Sequence, residues 1–272
     1  MNSLTILGSG TSAGVPMIGC NCLVCNSLDP SNNRLRTSVL LHTANSKTIL
    51  VDTTPDLRTQ FLREKIKYID AAIITHDHAD HTHGMDDLRP LCHLNKMTIP
   101  IHSSAKTAQG LKKKFDYIFE RKNIFTKDRP ILGGGIPMLD LVEFCDGKHL
   151  VAEEDFEFFS LPHGYGLSSG FIHQSMAYVV DCHDIPTAVA QRLKEAQLDL
   201  LVLDCVQPGP HQTHLGWEKA RMFLEYIRPK RAGLIHMNHE WDHEKFSQTI
   251  LGHGIDWAVP LRDGDVLQYE VR

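Results

Sequence analysis

The stretch that most limits what this chain can fold into is Thr75-His76-Asp77-His78-Ala79-Asp80-His81, reached from the short apolar run Ala71–Thr75. That β-branched run predicts a buried strand. His76 and His78 are two apart, so past a strand their side chains point the same way. Asp80 and His81 are adjacent, and on a turn they face a second point in space. One short loop then offers ligands to two metal ions. Two ions about 3.5–4 Å apart can share a hydroxide and clamp the oxygens of a displacement reaction. The chain carries 17 histidines in 272 residues. Clustered beside aspartates they call for a reason, because neutral imidazole is the commonest ligand for transition metals.

The rest of the chain reads as alternating strands and helices. Strands are expected at Leu4–Leu7, Ser38–Leu41, Thr48–Val51 and Ile99–His102, and helices at Leu57–Lys65 and Ala105–Phe119. The second half repeats the plan more loosely. Strands are expected at Phe156–Leu161, Gly170–His173, Met176–Val180, Leu198–Leu203 and Ala232–Ile235, with helices at Pro186–Glu195 and Gly216–Ile227. This alternation predicts an α/β architecture with sheets inside and helices outside. No linker or composition shift marks a cut, so 1–272 is expected to form one domain.

Four ligands cannot complete two metal sites. His163, Asp181 and His236 each follow a predicted strand and are candidates, since α/β folds place sites at strand ends. A carboxylate such as Asp181 has two oxygens and can bridge. Asp204 ends its own strand and competes for that role.

Cys20, Cys22 and Cys25 form Cys-x-Cys-x2-Cys. Three thiolates this close suit a structural zinc, which takes four ligands in a tetrahedron. His239, three residues beyond His236, is the candidate for the fourth. The other cysteines, Cys92, Cys145, Cys182 and Cys205, read as core residues. Seven cysteines with three clustered favour metal binding in a reducing cytoplasm over a disulfide framework. No secretory signal and no spanning apolar run is visible, so a cytoplasmic location and no membrane partner are expected. The net charge of −5 argues against a nucleic-acid partner. The one basic run, Lys112–Lys114, reads as a solvated helix face.

His-x-His-x-Asp-His after a buried strand resembles the signature of the metallo-β-lactamase superfamily. Leu7-Gly8-Ser9-Gly10-Thr11-Ser12-Ala13-Gly14-Val15-Pro16, followed by the three cysteines, is similar to its PhnP-like branch. Thr53–Arg58 and Met85–Pro90 also look like that branch, and the likeness runs from about residue 4 to 258. The resemblance implies a four-layer αββα sandwich. It implies that His76, His78 and His163 bind one divalent ion, that Asp80, His81 and His236 bind another, and that Asp181 bridges them. Manganese, zinc and iron all suit such ligands. It assigns a structural zinc to Cys20, Cys22, Cys25 and His239. Asp52 would brace the histidine loop, and Asp204 would stand behind the ligands. His214, with His211 as the alternative, would assist the leaving group, beside Asp80 and Asp181 in the catalytic set. The implied activity is hydrolysis of small cyclic phosphodiesters or nucleotides, and the implied partner is that small molecule, with a homodimer also compatible. The chain is longer than the branch's namesake around Phe115–Ile136, so its pocket is expected to differ. Two further readings are a nuclease like the tRNase Z enzymes and a zinc-stabilised accessory protein like those of pyrroloquinoline quinone biosynthesis.

Overall fold

The computed structural model describes residues 1–121 and 135–272. Of the segment Phe115–Ile136 singled out above, residues 122–134 lie outside the described residues. The first sheet takes β1 (Asn2–Gly8), β2 (Ser38–His42), β3 (Thr48–Val51), β4 (Ala71–Ile74), β5 (Ile99–Ser104) and β6 (Leu139–Phe144). The second takes β7 (Gly147–Val151), β8 (Glu154–His163), β9 (Gly166–His173), β10 (Met176–Val179), β11 (Leu200–Asp204), β12 (Arg231–Ile235) and β13 (Ala258–Pro260). The last strand, β14 (Val266–Tyr269), returns to the first sheet and pairs antiparallel with β1. The orders are β14-β1-β2-β3-β4-β5-β6 and β13-β12-β11-β10-β9-β8-β7.

Alternation along the strands sorts the apolar side chains into three layers. Ile49, Val51, Ala71, Ile73, Leu200 and Val202 meet between the sheets. Leu50, Ala72 and Ile74 point the other way, against α1 (Leu57–Arg63), α3 (Arg89–Asn95) and α4 (Ala105–Lys114). Leu201, Leu203, Ala232 and Leu234 point outward from the second sheet, against α6 (Thr187–Glu195), α7 (Trp217–Ile227) and α8 (His243–Gly252). A strand buried on both faces must be apolar at every position, which is why Ala71–Ile74 and Leu200–Leu203 read as continuous runs. The α7 stripe Trp217, Ala220, Phe223, Leu224 and Ile227 follows helical spacing and is wholly buried. These are the four layers of an αββα sandwich.

The structure departs from the sequence reading in several places. The helix expected over Ala105–Phe119 breaks at Phe115 (φ −123°, ψ 49°) and resumes as α5 (Asp116–Phe119). Cys92, Cys182 and Cys205 are buried, but Cys145 is exposed, because it sits in the turn between β6 and β7. Lys114 is more than a solvated residue: its ammonium contacts the Asp77 carbonyl and lies 3.0 Å from the Asp77 carboxylate. No described helix is long and apolar enough to cross a membrane.

The topology sets where the site falls. β3 and β4 are parallel neighbours, and so are β10, β11 and β12. β8 is antiparallel to β9, which is antiparallel to β10, so β8 runs the same way as β10. The carboxyl ends of these strands gather at one edge of the sandwich.

Candidate metal centre

At that edge the chain leaves its strands abruptly. Asp52, Asp181 and His236 come immediately or within two residues after β3, β10 and β12, and all three adopt positive φ, at 65°, 59° and 66°. A left-handed residue turns the chain sharply and swings its side chain over the strand end. After β4 the chain runs extended through His78 and then makes the single helical turn α2 (Ala79–Thr82). That turn carries Asp80 and His81, and the His81 ring comes to 4.3 Å from the His76 ring, centroid to centroid.

The structure brings seven candidate ligands together. His76, His78 and His163 offer nitrogens within 4.8 Å of one another, and so do His76 and His81 with an Asp181 oxygen. His163 Nε2 lies 3.2 Å from His78 Nδ1. His81 Nε2 lies 3.2 Å from carboxylate oxygens of both Asp80 and Asp181. The other Asp181 oxygen is 3.4 Å from His236 Nε2 and 4.0 Å from His163 Nε2. Asp181 therefore stands among them, with one oxygen toward His81 and the other toward His236 and His163.

Hydrogen bonds on the far side of each ring fix which nitrogen keeps its proton. His163 Nδ1 donates to the Thr213 carbonyl at 2.9 Å. His236 Nδ1 lies 3.0 Å from Thr37 Oγ1, whose own proton goes to the Gly10 carbonyl, so the imidazole is the donor. His81 Nδ1 donates to Asp52 at 2.7 Å. His76 Nδ1 lies 3.1 Å from Thr75 Oγ1, which gives its proton to Asp52. The Nε2 atoms of His76, His163 and His236 then carry lone pairs, aimed inward with two carboxylates, while Asp80 and Asp181 favour a proton on His81 Nε2. The Nε2 atoms of His76 and His236 are buried and have no hydrogen-bond partner. Acceptors facing acceptors are brought to rest by a cation, and outer hydrogen bonds of this kind are how proteins orient metal-binding histidines.

The electrostatics agree. Burial holds the His76 pKa well below its ordinary value, lowers His163, and brings His236 down to about 4, so these rings are neutral, as ligands must be. Burial opposes charge on His81 too, but Asp181, Asp80 and Asp52 outweigh it and raise its pKa well above normal. The site's own carboxylates thus favour positive charge at this point. Asp181, in turn, is held well below the carboxylate range despite burial, by His236 and His81.

Asp204 does not join the ligands. It accepts from His214 Nδ1 at 2.9 Å and from the Cys182 amide at 3.1 Å. Burial alone would lower His214; Asp204 overrides it and pushes the pKa up to about 9. His214 is buried, 3.7 Å from Asp181, whereas His211 is exposed and its Nδ1 faces the Thr213 amide. The site opens into a cavity of about 410 Å³ lined by Ser12, His78, Asp80, His163, Tyr165 and His214 among others.

A second cluster stands beside the first. Cys20 and Cys22 Sγ lie 3.3 and 3.4 Å from His239 Nδ1, and with Cys25 the four donors all fall within 4.8 Å of one another. Zinc–sulfur bonds of ~2.3 Å in a tetrahedron put sulfurs roughly 3.8 Å apart, which this set can meet. The Cys25 amide and His239 lower the Cys22 thiol to about 6, toward the thiolate a metal needs, while burial pushes Cys25 up to about 11. Buried Arg34 pins the segment bearing His239, donating to the carbonyls of Asn238 and Trp241.

Sequence reasoning missed Thr37, Thr75 and Thr213, the residues that orient the rings. No local signal marks them; Thr37 and His236 meet across 199 positions.

The beta-lactamase superfamily domain model matches residues 47–237. A crystal structure of a diphosphatase from the PhnP family superposes with a TM-score of 0.86 and 34% identity, covering 100% of this chain and 99% of that one. Zinc-bound PqqB from Methylobacterium extorquens shares the fold at a TM-score of 0.72 and 16% identity, covering 98% and 99%. Octanoyltransferase from Porphyromonas gingivalis (strain ATCC BAA-308 / W83) is 34% identical over 235 residues, which is 86% of this chain but 45% of that protein. The chain thus spans less than half the length of that curated relative. Divalent metal ions go with this fold, and the His/Asp clusters can bind them. With the strand-end cluster on a four-layer sandwich and a full-length match at 34% identity, the chain belongs to the metallo-β-lactamase superfamily of hydrolases, in its PhnP family.

Proposed function

We propose that the chain hydrolyses small cyclic phosphodiesters or nucleotides. In this reading His76, His78 and His163 would hold one divalent ion, Asp80, His81 and His236 would hold a second, and Asp181 would serve both. The observation that carries it is the inward convergence of four tautomer-fixed imidazoles on one central carboxylate. Divalent ions held there would activate water at neutral pH and offset charge on the phosphoryl oxygens. The chain's own proton donor is His214. Asp204 holds its Nδ1 and keeps the ring charged, so Nε2–H is free to protonate the departing alkoxide. Thr213, next in sequence, orients His163 through its carbonyl, which ties the donor to the ligand set. Cys20, Cys22, Cys25 and His239 hold a separate structural zinc.

A second reading is cleavage of a diphosphate linkage, favoured by the diphosphatase of the PhnP family at 34% identity. Both place the chemistry at phosphorus and use the same residues. The deciding experiment assays metal content, then turnover of bis-p-nitrophenyl phosphate, 2′,3′-cyclic nucleotides and a nucleoside diphosphate sugar, with and without manganese. Three metals per chain and manganese-restored diesterase activity support the first reading. Turnover of the diphosphate alone moves the second ahead. One zinc and no turnover of any substrate removes both.

A further inference from the structure

The turn that follows His163 does something the metal-centred account leaves unused. β8 and β9 pair in register from Phe156–His173 to His163–Gly166, so Gly164 and Tyr165 alone make the turn. Gly164 takes φ +56°, the left-handed conformation a tight hairpin asks of its first central residue. A long hairpin of this kind holds its apex firmly, and the apex here is Tyr165. Its side chain is fully exposed, at 112% of the reference value, although it lines the mouth of the catalytic cavity. No hydrogen bond, ring or cation packs on it among the described residues. A tyrosine presented to solvent at a site's mouth offers a flat, polarisable face at little entropic cost, because it has only two side-chain torsions.

Beside it lies an unpaired cation. Lys106, exposed near the start of α4, has its Nζ 3.8 Å from where a Cβ on Gly166 would stand, and it enters no ion pair among the described residues. The cavity, at about 410 Å³, lies within the range of roughly 300–1,000 Å³ typical of small-molecule sites. A free aromatic face lining the cavity, and a free ammonium beside Gly166, itself a lining residue, match a ligand that is aromatic at one end and anionic at the other.

We infer that Tyr165 is a stacking platform for a nucleobase, so that the preferred substrate is a mononucleotide phosphodiester and not the diester of a bare sugar. This rests on the phosphodiesterase reading above. The ring is a specificity element, since it is held at the rim and has no part in the proton transfers. An aromatic face binds any base, so the preference among bases is weak.

The test compares kcat/KM for 2′,3′-cyclic AMP with that for 1-O-methylribose 2,3-cyclic phosphate, in the metal-loaded wild type, Tyr165→Ala and Tyr165→Trp. The nucleotide-to-sugar ratio is expected to fall roughly 5- to 100-fold in Tyr165→Ala, the range that base–aromatic stacking supplies, and to survive in Tyr165→Trp. A ratio unchanged by Tyr165→Ala overturns the inference while leaving the phosphodiesterase reading intact. If the wild type turns over neither ester, that reading fails, and stacking is then judged by calorimetric binding of AMP against ribose 5-phosphate. A selective loss of AMP affinity in Tyr165→Ala supports the platform; equal affinity in both proteins overturns it.

Discussion

The His/Asp cluster and the cysteine cluster come within three residues of each other, at His236 and His239, yet they rest on different foundations. The first hangs from strand ends at one edge of the sandwich, with most of its side chains buried. Asp52, Thr37, Thr75 and Thr213 hold its rings in place by hydrogen bonds that involve no ion. The second is half-exposed and sits on a connection, residues 9–37, whose one regular element is a single 3-10 turn at Pro30–Asn32. Connections that long without secondary structure need something to order them. The difference teaches that the same ligand chemistry serves two ends. The braced cluster keeps its geometry through the protein's own hydrogen bonds, whereas in the proposed reading the cysteine cluster would draw on metal binding to order its loop.

That contrast can be broken from either side. The largest effect is expected from Asp181→Ala, which removes the carboxylate both ligand groups share. Turnover of a chromogenic diester should drop more than about 100-fold, beyond what loss of an outer hydrogen-bonding partner costs, while circular dichroism stays native. Near-normal turnover would sink the model. Next is His214→Ala, which should slow a diester with a poor leaving group by roughly 10²–10⁴ and an activated aryl ester much less. The pH profile carries a sign: the donor is the protonated ring, present below about 9 and lost as pH rises through it. Activity on the poor leaving group should therefore fall above about 9 in the wild type, and that limb should vanish in the variant.

Asp52→Asn probes the bracing itself. It leaves every ligand in place but spoils the acceptor for His81, so metal affinity by competitive chelation should weaken roughly 10- to 100-fold. An unchanged affinity would mean the outer hydrogen bonds do not preorganise the site. The smallest effect on turnover is expected from Cys22→Ser. One metal equivalent should be lost and proteolysis should begin within residues 11–37, with kcat reduced less than about tenfold. If turnover instead collapsed as it does for Asp181→Ala, the two clusters would be one cooperative unit.

Much of the frame was legible because it depends on local pattern. β4 and β11 announced themselves as unbroken apolar runs, and His76 to His81 followed one of them without a gap. The peripheral elements were not legible. β7 (Gly-Lys-His-Leu-Val) and β14 (Val-Leu-Gln-Tyr) are edge strands with much exposed surface, so their alternation is diluted by polar residues. α8 had a readable start in Asp242, whose carboxylate caps the Lys245 amide, but its apolar stripe is thin. The placement of Asp204 behind His214 could not be decided from strand-end position alone, since Asp181 and Asp204 end neighbouring strands in the same way. Only the sheet order and the left-handed turn at Asp181 separate them.

The left-handed backbone at Asp52, Asp181 and His236 has a consequence for how such a protein changes over generations. Each non-glycine residue held there gives up about 1–2 kcal/mol that glycine would keep. Glycine at Asp52 would relieve the backbone but leave the Thr75 amide and hydroxyl and His81 Nδ1 without their buried acceptor, at about 1–3 kcal/mol each, so the position cannot drift toward glycine without cost. In the proposed reading, the two aspartates and the histidine hold a costly backbone for the sake of the groups they swing over the strand ends.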